Sequence, residues 1–343
     1  MIKSLQSLRG IFAIAIVFYH YYSRAPFWVD NTSCAVTFFF IMSGFALGLH
    51  YRVKDLRNFS FRNFMTKRLS KVYPLHLLLT LVMIYFSGIG WKLWANVFLV
   101  QSWFTSESVW FSYNGTSWFV ASLVFCYLFF APISYLSTRW KQGTCYAIIA
   151  IATLILMAYY WITPPDAVQW LYYISPTTRL IDFSLGILLA RAYSDYSLSN
   201  SDISRKKAGV MSIVAALLVI SLIALPHSSQ IAKAYYLSVV WYIPLALLIL
   251  TLCIAENKGT VLTRLLSWKP LVWLGNISFE IYMLQVVVSN IVLKLGIITT
   301  GQKFPDNLHI FIIIAIVIPL AWLTKRFFTT PVARFLNRNL NIQ

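Results

Sequence analysis

Apolar residues in this chain come in runs long enough to cross a bilayer. Ten such runs fall near 8–24, 35–50, 72–90, 117–137, 144–162, 178–193, 208–225, 235–255, 271–293 and 308–328. A hydrocarbon core about 30 Å thick needs roughly 20 apolar residues in a helix. In lipid each backbone polar group must also be satisfied within its own segment. The pattern therefore predicts an all-α fold, a polytopic membrane helix bundle with about ten transmembrane helices. No repeat of fixed period and no low-complexity tract divides the chain. Residues 1–343 read as a single membrane domain with no appended soluble domain. Segment 91–116 is rich in Trp and Phe but ends in polar residues, which suits an outer interfacial helix and loop.

Composition supports the membrane reading: 59% of residues are hydrophobic and only 11% charged, where a soluble domain has about 25% charged. The net charge of +18 could suggest nucleic acid, but its distribution argues against that partner. With the N-terminus in the cytoplasm, Arg24, Lys92, Arg179, Lys233, Lys294 and Lys303 face outward. The other 22 of the 28 Lys and Arg face inward. This asymmetry obeys the positive-inside rule and places both termini in the cytoplasm. Lys3 and Arg9 before an apolar run imitate a signal peptide. No small-x-small cleavage site follows, and Pro26 sits where cleavage would fall, so the run reads as a retained span. Cys34, Cys126, Cys145 and Cys253 lie singly within spans, with neither disulfide nor zinc spacing; they read as small packing residues. No metal site is expected.

The first span carries an arginine at its mouth and an imidazole inside it. Arg9 and His20 are eleven residues apart, close to three helical turns, and so share a face. At 1.5 Å per residue they are separated by roughly 16 Å, about half the hydrocarbon thickness. Alone, Arg9 would be a snorkelling anchor and His20 a structural hydrogen bond between helices. Together they suit a long ligand with an anionic head and a reactive tail, such as a coenzyme A thioester.

Five motifs resemble the acyltransferase-3 family of integral-membrane O-acyltransferases. SLRGIFAIAIVFYH (7–20) has the family's Arg, ten residues, His. VTFFFIMSGF (36–45) resembles its second-span motif, and TKRLSKVYP (66–74) its basic motif before a third span. SPTTRLIDFSLG (175–186) resembles its Pro-x-x-Arg-x-x-acid-Phe-x-x-Gly element, and LGNISFEIYMLQ (274–285) a late-span motif. The resemblance implies transfer of an acyl group, with acetyl-CoA as donor, to a glycan acceptor. That acceptor would be a cell-surface polysaccharide, O-antigen of lipopolysaccharide among them, or its lipid-linked precursor. It also implies a bacterial inner-membrane location. Three departures stand out. Leu123 lies where the family often has an acid, Gln285 where the late motif usually ends in His, and Lys71 where a second Arg is usual. Gln285 can donate and accept hydrogen bonds but cannot act as a base, so chemistry must lean on His20.

Lys67, Arg68 and Lys71 lie just inside the membrane, with Lys67 and Lys71 on one helix face. With Arg9 they are the expected phosphate-binding set, and Arg62 is a weaker candidate. Arg179 and Asp182, at i and i+3, meet at the outer end of the sixth span. Read blandly they form a mutual salt bridge. Read as catalytic groups beside His20, Asp182 orients the imidazole or Arg179 holds an acceptor or thioester oxygen. Glu280 reads as a polar contact, and Ser43 and Gly44 as a close helix approach. His50, His76, His227 and His309 read as interfacial. Two rival functions fit a polytopic protein with intramembrane charges: a transporter or flippase of a lipid-linked glycan or small anion, and a non-catalytic assembly subunit.

Overall fold

The apolar runs fold as helices. The computed structural model describes residues 2–21, 31–51, 59–199, 203–226 and 229–340. There is no strand among the described residues. The long helices are α1 (Lys3–Tyr21), α2 (Cys34–His50), α3 (Phe61–Ser87), α6 (Trp118–Arg139), α7 (Gln142–Tyr159), α8 (Pro176–Leu198), α9 (Arg205–Ile223), α11 (Tyr242–Asn257), α14 (Ser278–Thr300) and α15 (Asp306–Thr324). Short helices fill the connections: α4 (Lys92–Val97), α5 (Glu107–Trp110), α10 (Gln230–Tyr236), α12 (Val261–Leu266), α13 (Lys269–Asn276) and α16 (Thr330–Asn339). The last residues of the expected first span, 22–24, lie outside the described residues, as do Arg52, Lys54, Arg57 and His227.

Among the described residues, eight helical segments are long and apolar enough to cross a membrane: Asn31–His50, Phe61–Ser87, Trp118–Arg139, Gln142–Tyr159, Arg205–Ile223, Val239–Asn257, Ser278–Thr299 and Asn307–Asn339. Helices α1 and α8 do not reach that apolarity. They carry Arg9 and His20, and Arg179, Asp182, Arg191 and Asp195. Both lie inside the bundle, α8 against α2, α6, α7 and α11, and α1 against α2 and α11 to α15. Their charges are tolerable because other helices, not lipid, surround them.

Two glycine contacts fix the central helices. Gly44 and Gly48 of α2 face Gly186 and Ala190 of α8, small residues four apart on each side. A Cβ on Gly186 would come 2.8 Å from Phe45 N, and one on Gly48 2.7 Å from Ala190 Cβ. Backbones this close are how helices pack where the hydrophobic effect is weak. On the other side a Cβ on Gly10 of α1 would sit 2.7 Å from Gly275 N of α13.

The structure redraws several sequence expectations. The expected span 271–293 is broken at Ile277, between α13 and α14. After α15 the chain passes through a π-helical turn, Lys325–Thr329, into α16. Segment 91–116 tucks polar side chains into the bundle: Asn96, Gln101 and Asn114 are fully buried. Asn114 Nδ2 donates to the Met283 carbonyl at 3.0 Å. Two histidines expected at the interface are buried instead. His76 of α3 bonds the Asn96 carbonyl at 2.9 Å, and His309 of α15 bonds Ser289 at 3.2 Å. Each has a polar partner in another segment, which spacing along one helix cannot reveal. His50 is exposed, as expected. The four cysteines are free and buried.

Candidate active site

Helix α1 is fastened at its inner end by polar groups from three other elements. The Glu256 carboxylate of α11 accepts from the backbone N–H groups of Lys3 and Ser4 at 2.6 and 2.8 Å, and from Ser4 Oγ at 2.5 Å. A carboxylate at a helix N-terminus satisfies orphan donors and opposes the helix dipole. Gln6 Nε2 donates to Asn276 Oδ1 at 3.0 Å, and Ser7 Oγ to the Leu266 carbonyl. Arg9, one turn further, is half-buried and donates to Gln6 Oε1 at 3.2 Å.

From Arg9 a closed circuit of charged and phenolic neighbours can be traced. Arg9 lies within electrostatic range of Glu280 on α14 and Tyr127 on α6. Tyr127 also neighbours Arg68 on α3, and Arg68 neighbours Lys71. Lys71 in turn meets Lys67 and Lys325. Lys325 closes the circuit, 3.8 Å from Glu280 Oε2 and within range of Arg9. The structure thus brings together all four cations expected to hold phosphates, and adds Lys325. Of these cations Arg9 and Lys325 act on the Glu280 carboxylate, itself only 2% exposed. Arg68 Nε is buried without a partner, and its guanidinium lies 5.8 and 5.6 Å from the Tyr51 and Phe64 rings. Cations gathered this closely suit an anion with several oxygens. Arg62 is exposed on the first turn of α3.

Sequence reasoning counted Lys325 only as inner-side charge. The signal that marked it was weak, a Lys-Arg pair at the end of an apolar run. The π-helical turn that carries Lys325 brings it to the end of α13, where Nζ also donates to the Asn276 carbonyl. Tyr127 was not singled out at all. Leu123, where an acid was looked for, is core, 4% exposed.

His20 stands near the other end of α1. Protein surrounds the imidazole on most sides, yet the residue as a whole is exposed. The rings of Tyr19 and Tyr21 lie 5.4 and 6.0 Å away. Its polar neighbour is the Gln285 side chain of α14. No carboxylate is among its electrostatic neighbours in the described residues. The same face of α14 carries Ser289, four residues on, which meets Tyr21 and His309.

Arg179 and Asp182 do meet, as their spacing predicted. Arg179 Nη1 is 2.7 Å from Asp182 Oδ2, and both side chains are fully buried. Arg179 also donates to Thr37 Oγ1 at 3.1 Å and to the Tyr172 carbonyl at 2.6 Å. Its guanidinium lies 5.6 Å from the Phe40 ring and 5.9 Å from the Tyr173 ring. Asp182 faces Tyr242 of α11. The structure does not bring Asp182 to His20; neither is among the other's neighbours. The link between the two regions runs through rings: Tyr173, beside Arg179, neighbours Tyr19 and Tyr282.

Comparison with known proteins fits this geometry. A family model described as an acyltransferase domain matches residues 2–326. The chain is 29% identical over 322 residues to acyltransferase MdmB of Streptomyces mycarofaciens, covering 83% of this chain and 79% of that protein. It is 21% identical over 357 residues to the peptidoglycan O-acetyltransferase OatA of Listeria monocytogenes, covering 97% of this chain and 56% of the relative. The O-acetyltransferase OatA of Staphylococcus aureus is 24% identical over 364 residues, with 97% and 57% covered. This chain therefore spans just over half the length of those two O-acetyltransferases. No solved structure is significantly similar to it.

Proposed function

Because the chain belongs to the acyltransferase-3 family and is a membrane acyltransferase, we propose that it moves an acetyl group from acetyl-CoA to a sugar hydroxyl. The acceptor is a cell-surface glycan or its lipid-linked precursor. Family membership selects the enzyme over the transporter and the assembly subunit. In this reading α1 and α8 cross the membrane with the eight apolar segments, giving ten spans, both termini in the cytoplasm and a home in the bacterial inner membrane. The charge asymmetry along the sequence supports that orientation.

The observation that carries the reading is the placement of Arg9 and His20 on one fastened helix. Arg9 belongs to the cation circuit and His20 is exposed roughly 16 Å away, by helical rise. The donor phosphates bind Arg9, Lys67, Arg68, Lys71 and Lys325, and the pantetheine arm runs outward along α1. His20 acts as general base. It takes the proton of the acceptor hydroxyl as that oxygen attacks the thioester carbonyl. Collapse of the tetrahedral adduct breaks the C–S bond. The departing thiolate takes the proton back from the imidazolium, leaving an ester and free CoA. Arg179 and Asp182 serve this chemistry by position. They hold Tyr173, and through it the tyrosines that line His20.

The test uses detergent-purified protein, radiolabelled acetyl-CoA and a membrane glycan extract, comparing wild type with His20→Ala. Alkali-labile label on glycan together with free CoA in wild type alone is the expected result. Label in both proteins would remove His20 from the chemistry. Label in neither, from folded protein that still binds CoA, would discard the donor or the acceptor named here.

A further inference from the structure

An unpaired buried oxygen identifies how the imidazole is set. Gln285 is fully buried on α14. Its Nε2 donates to the Tyr282 carbonyl one turn back, at 3.1 Å. That bond fixes which way the amide faces. Its Oε1 is then left buried, without a hydrogen-bond partner in the structure. A buried acceptor left unmade is destabilising, so a neighbouring donor is expected to serve it. The His20 ring lies in hydrogen-bonding reach of the Gln285 side chain.

We infer that Gln285 is the positioning residue that fixes the tautomer of His20. The ring nitrogen nearest α14 carries the proton and donates it to Gln285 Oε1. The opposite nitrogen is left bare, with its lone pair turned to the exposed side of the residue. A neutral imidazole has one donor and one acceptor nitrogen, and the bond made by one decides the role of the other. An amide differs here from a carboxylate. It accepts the N–H without adding negative charge, and so does not hold the ring as imidazolium. Among the described residues, the rings of Tyr19 and Tyr21 of its own helix also face the imidazole. The base is therefore ready without prior loss of a proton. This inference rests on the reading of His20 as general base.

The experiment measures acetyl transfer by the full-length purified protein with acetyl-CoA and glycan extract, in wild type, Gln285→Leu, Gln285→Glu and His20→Ala. Gln285→Leu removes the acceptor. It should lower kcat roughly tenfold to a hundredfold, as loss of an orienting partner does, with KM for acetyl-CoA within about twofold. Gln285→Glu keeps shape and acceptor but adds a charge beside the ring. The charged imidazole gains a partner, so it loses its proton only at higher pH. The acid limb of kcat/KM should move up by about one pH unit or more, with kcat retained above that limb. A wild-type kcat in Gln285→Leu, or an unmoved pH profile in Gln285→Glu, overturns the role of Gln285. Where Gln285→Leu does not fold, the pH profile of Gln285→Glu decides alone. Undiminished transfer by His20→Ala would instead overturn the general-base reading, a result distinguishable from failure of Gln285.

Discussion

The cations around α1 and the ion pair in α8 are both buried charge in a membrane protein, yet they are built in opposite ways. In α8 one arginine meets one aspartate at 2.7 Å, with both side chains at zero exposure; Arg179 donates further to Thr37 and Tyr172, and its Nε is buried without a partner. Around α1, Arg9 and Lys325 share the Glu280 carboxylate, Lys71 has Lys67, Arg68 and Lys325 as its charged neighbours, and Lys71 remains exposed. The first arrangement is closed, and its charges answer each other. The second sets cation beside cation and is reachable. The difference teaches that burial alone does not mark a binding site; like charges gathered within reach of solvent do.

The comparison can be broken or sharpened by substitution. The largest effect is expected at Gly186→Leu, because even a Cβ there meets the α2 backbone within 2.8 Å. No folded protein should be recovered on size-exclusion chromatography, and normal yield would refute the tight α2–α8 contact. His20→Ala should lower kcat about 10²- to 10⁴-fold while stability falls by no more than about 1–3 kcal/mol, the cost of leaving a buried acceptor unserved. A loss of stability matching the loss of rate would make His20 structural. Arg179→Leu leaves Asp182 buried and unpaired and should cost about 3–5 kcal/mol, read as a lowered melting temperature. Adding Asp182→Leu should recover most of that stability. A stable double variant with no transfer would bring the closed pair into the chemistry after all.

Smaller effects probe the open cluster. Lys325→Ala should raise KM for acetyl-CoA about tenfold or more, the worth of one charge-assisted hydrogen bond, with kcat little changed. An unchanged KM would remove Lys325 from the donor site. Glu280→Gln is expected to act least and in the opposite sense. Its carboxylate competes with phosphate for Arg9 and Lys325, so neutralising it should lower KM a few-fold; a raised KM would make Glu280 an organiser of the cations.

Much of this was legible in the sequence where the signal is local. Hydropathy located the long helices, and i, i+3 spacing found the Arg179–Asp182 pair. The eleven-residue interval put Arg9 and His20 on one helix, and Gly44 was read as a close approach. What was not legible depends on contacts between distant segments. Gly275 and Asn276 are helix-ending residues, but the expected span ran through them and past the break at Ile277. What no local signal announces is that Lys325, 49 residues away, occupies the carbonyl at its edge. His76 and His309 were read as interfacial because their partners, Asn96 and Ser289, are 20 residues off in sequence. Asp182 was offered as the partner of His20, and the structure supplies an amide from α14 instead.

The fastening of α1 has a consequence for substrate choice. Glu256, Asn276, Leu266 and Gly275 grip its first two turns from other elements, and because Arg9 and His20 share this one helix the helical rise fixes the interval between them. A stiff helix with a phosphate-seeking group at one mark and an imidazole eleven residues beyond is a ruler. It measures a donor by length rather than by the identity of its acyl group. A thioester whose carbonyl lies much nearer its phosphates than roughly 16 Å would be gripped by its head and never reach the imidazole.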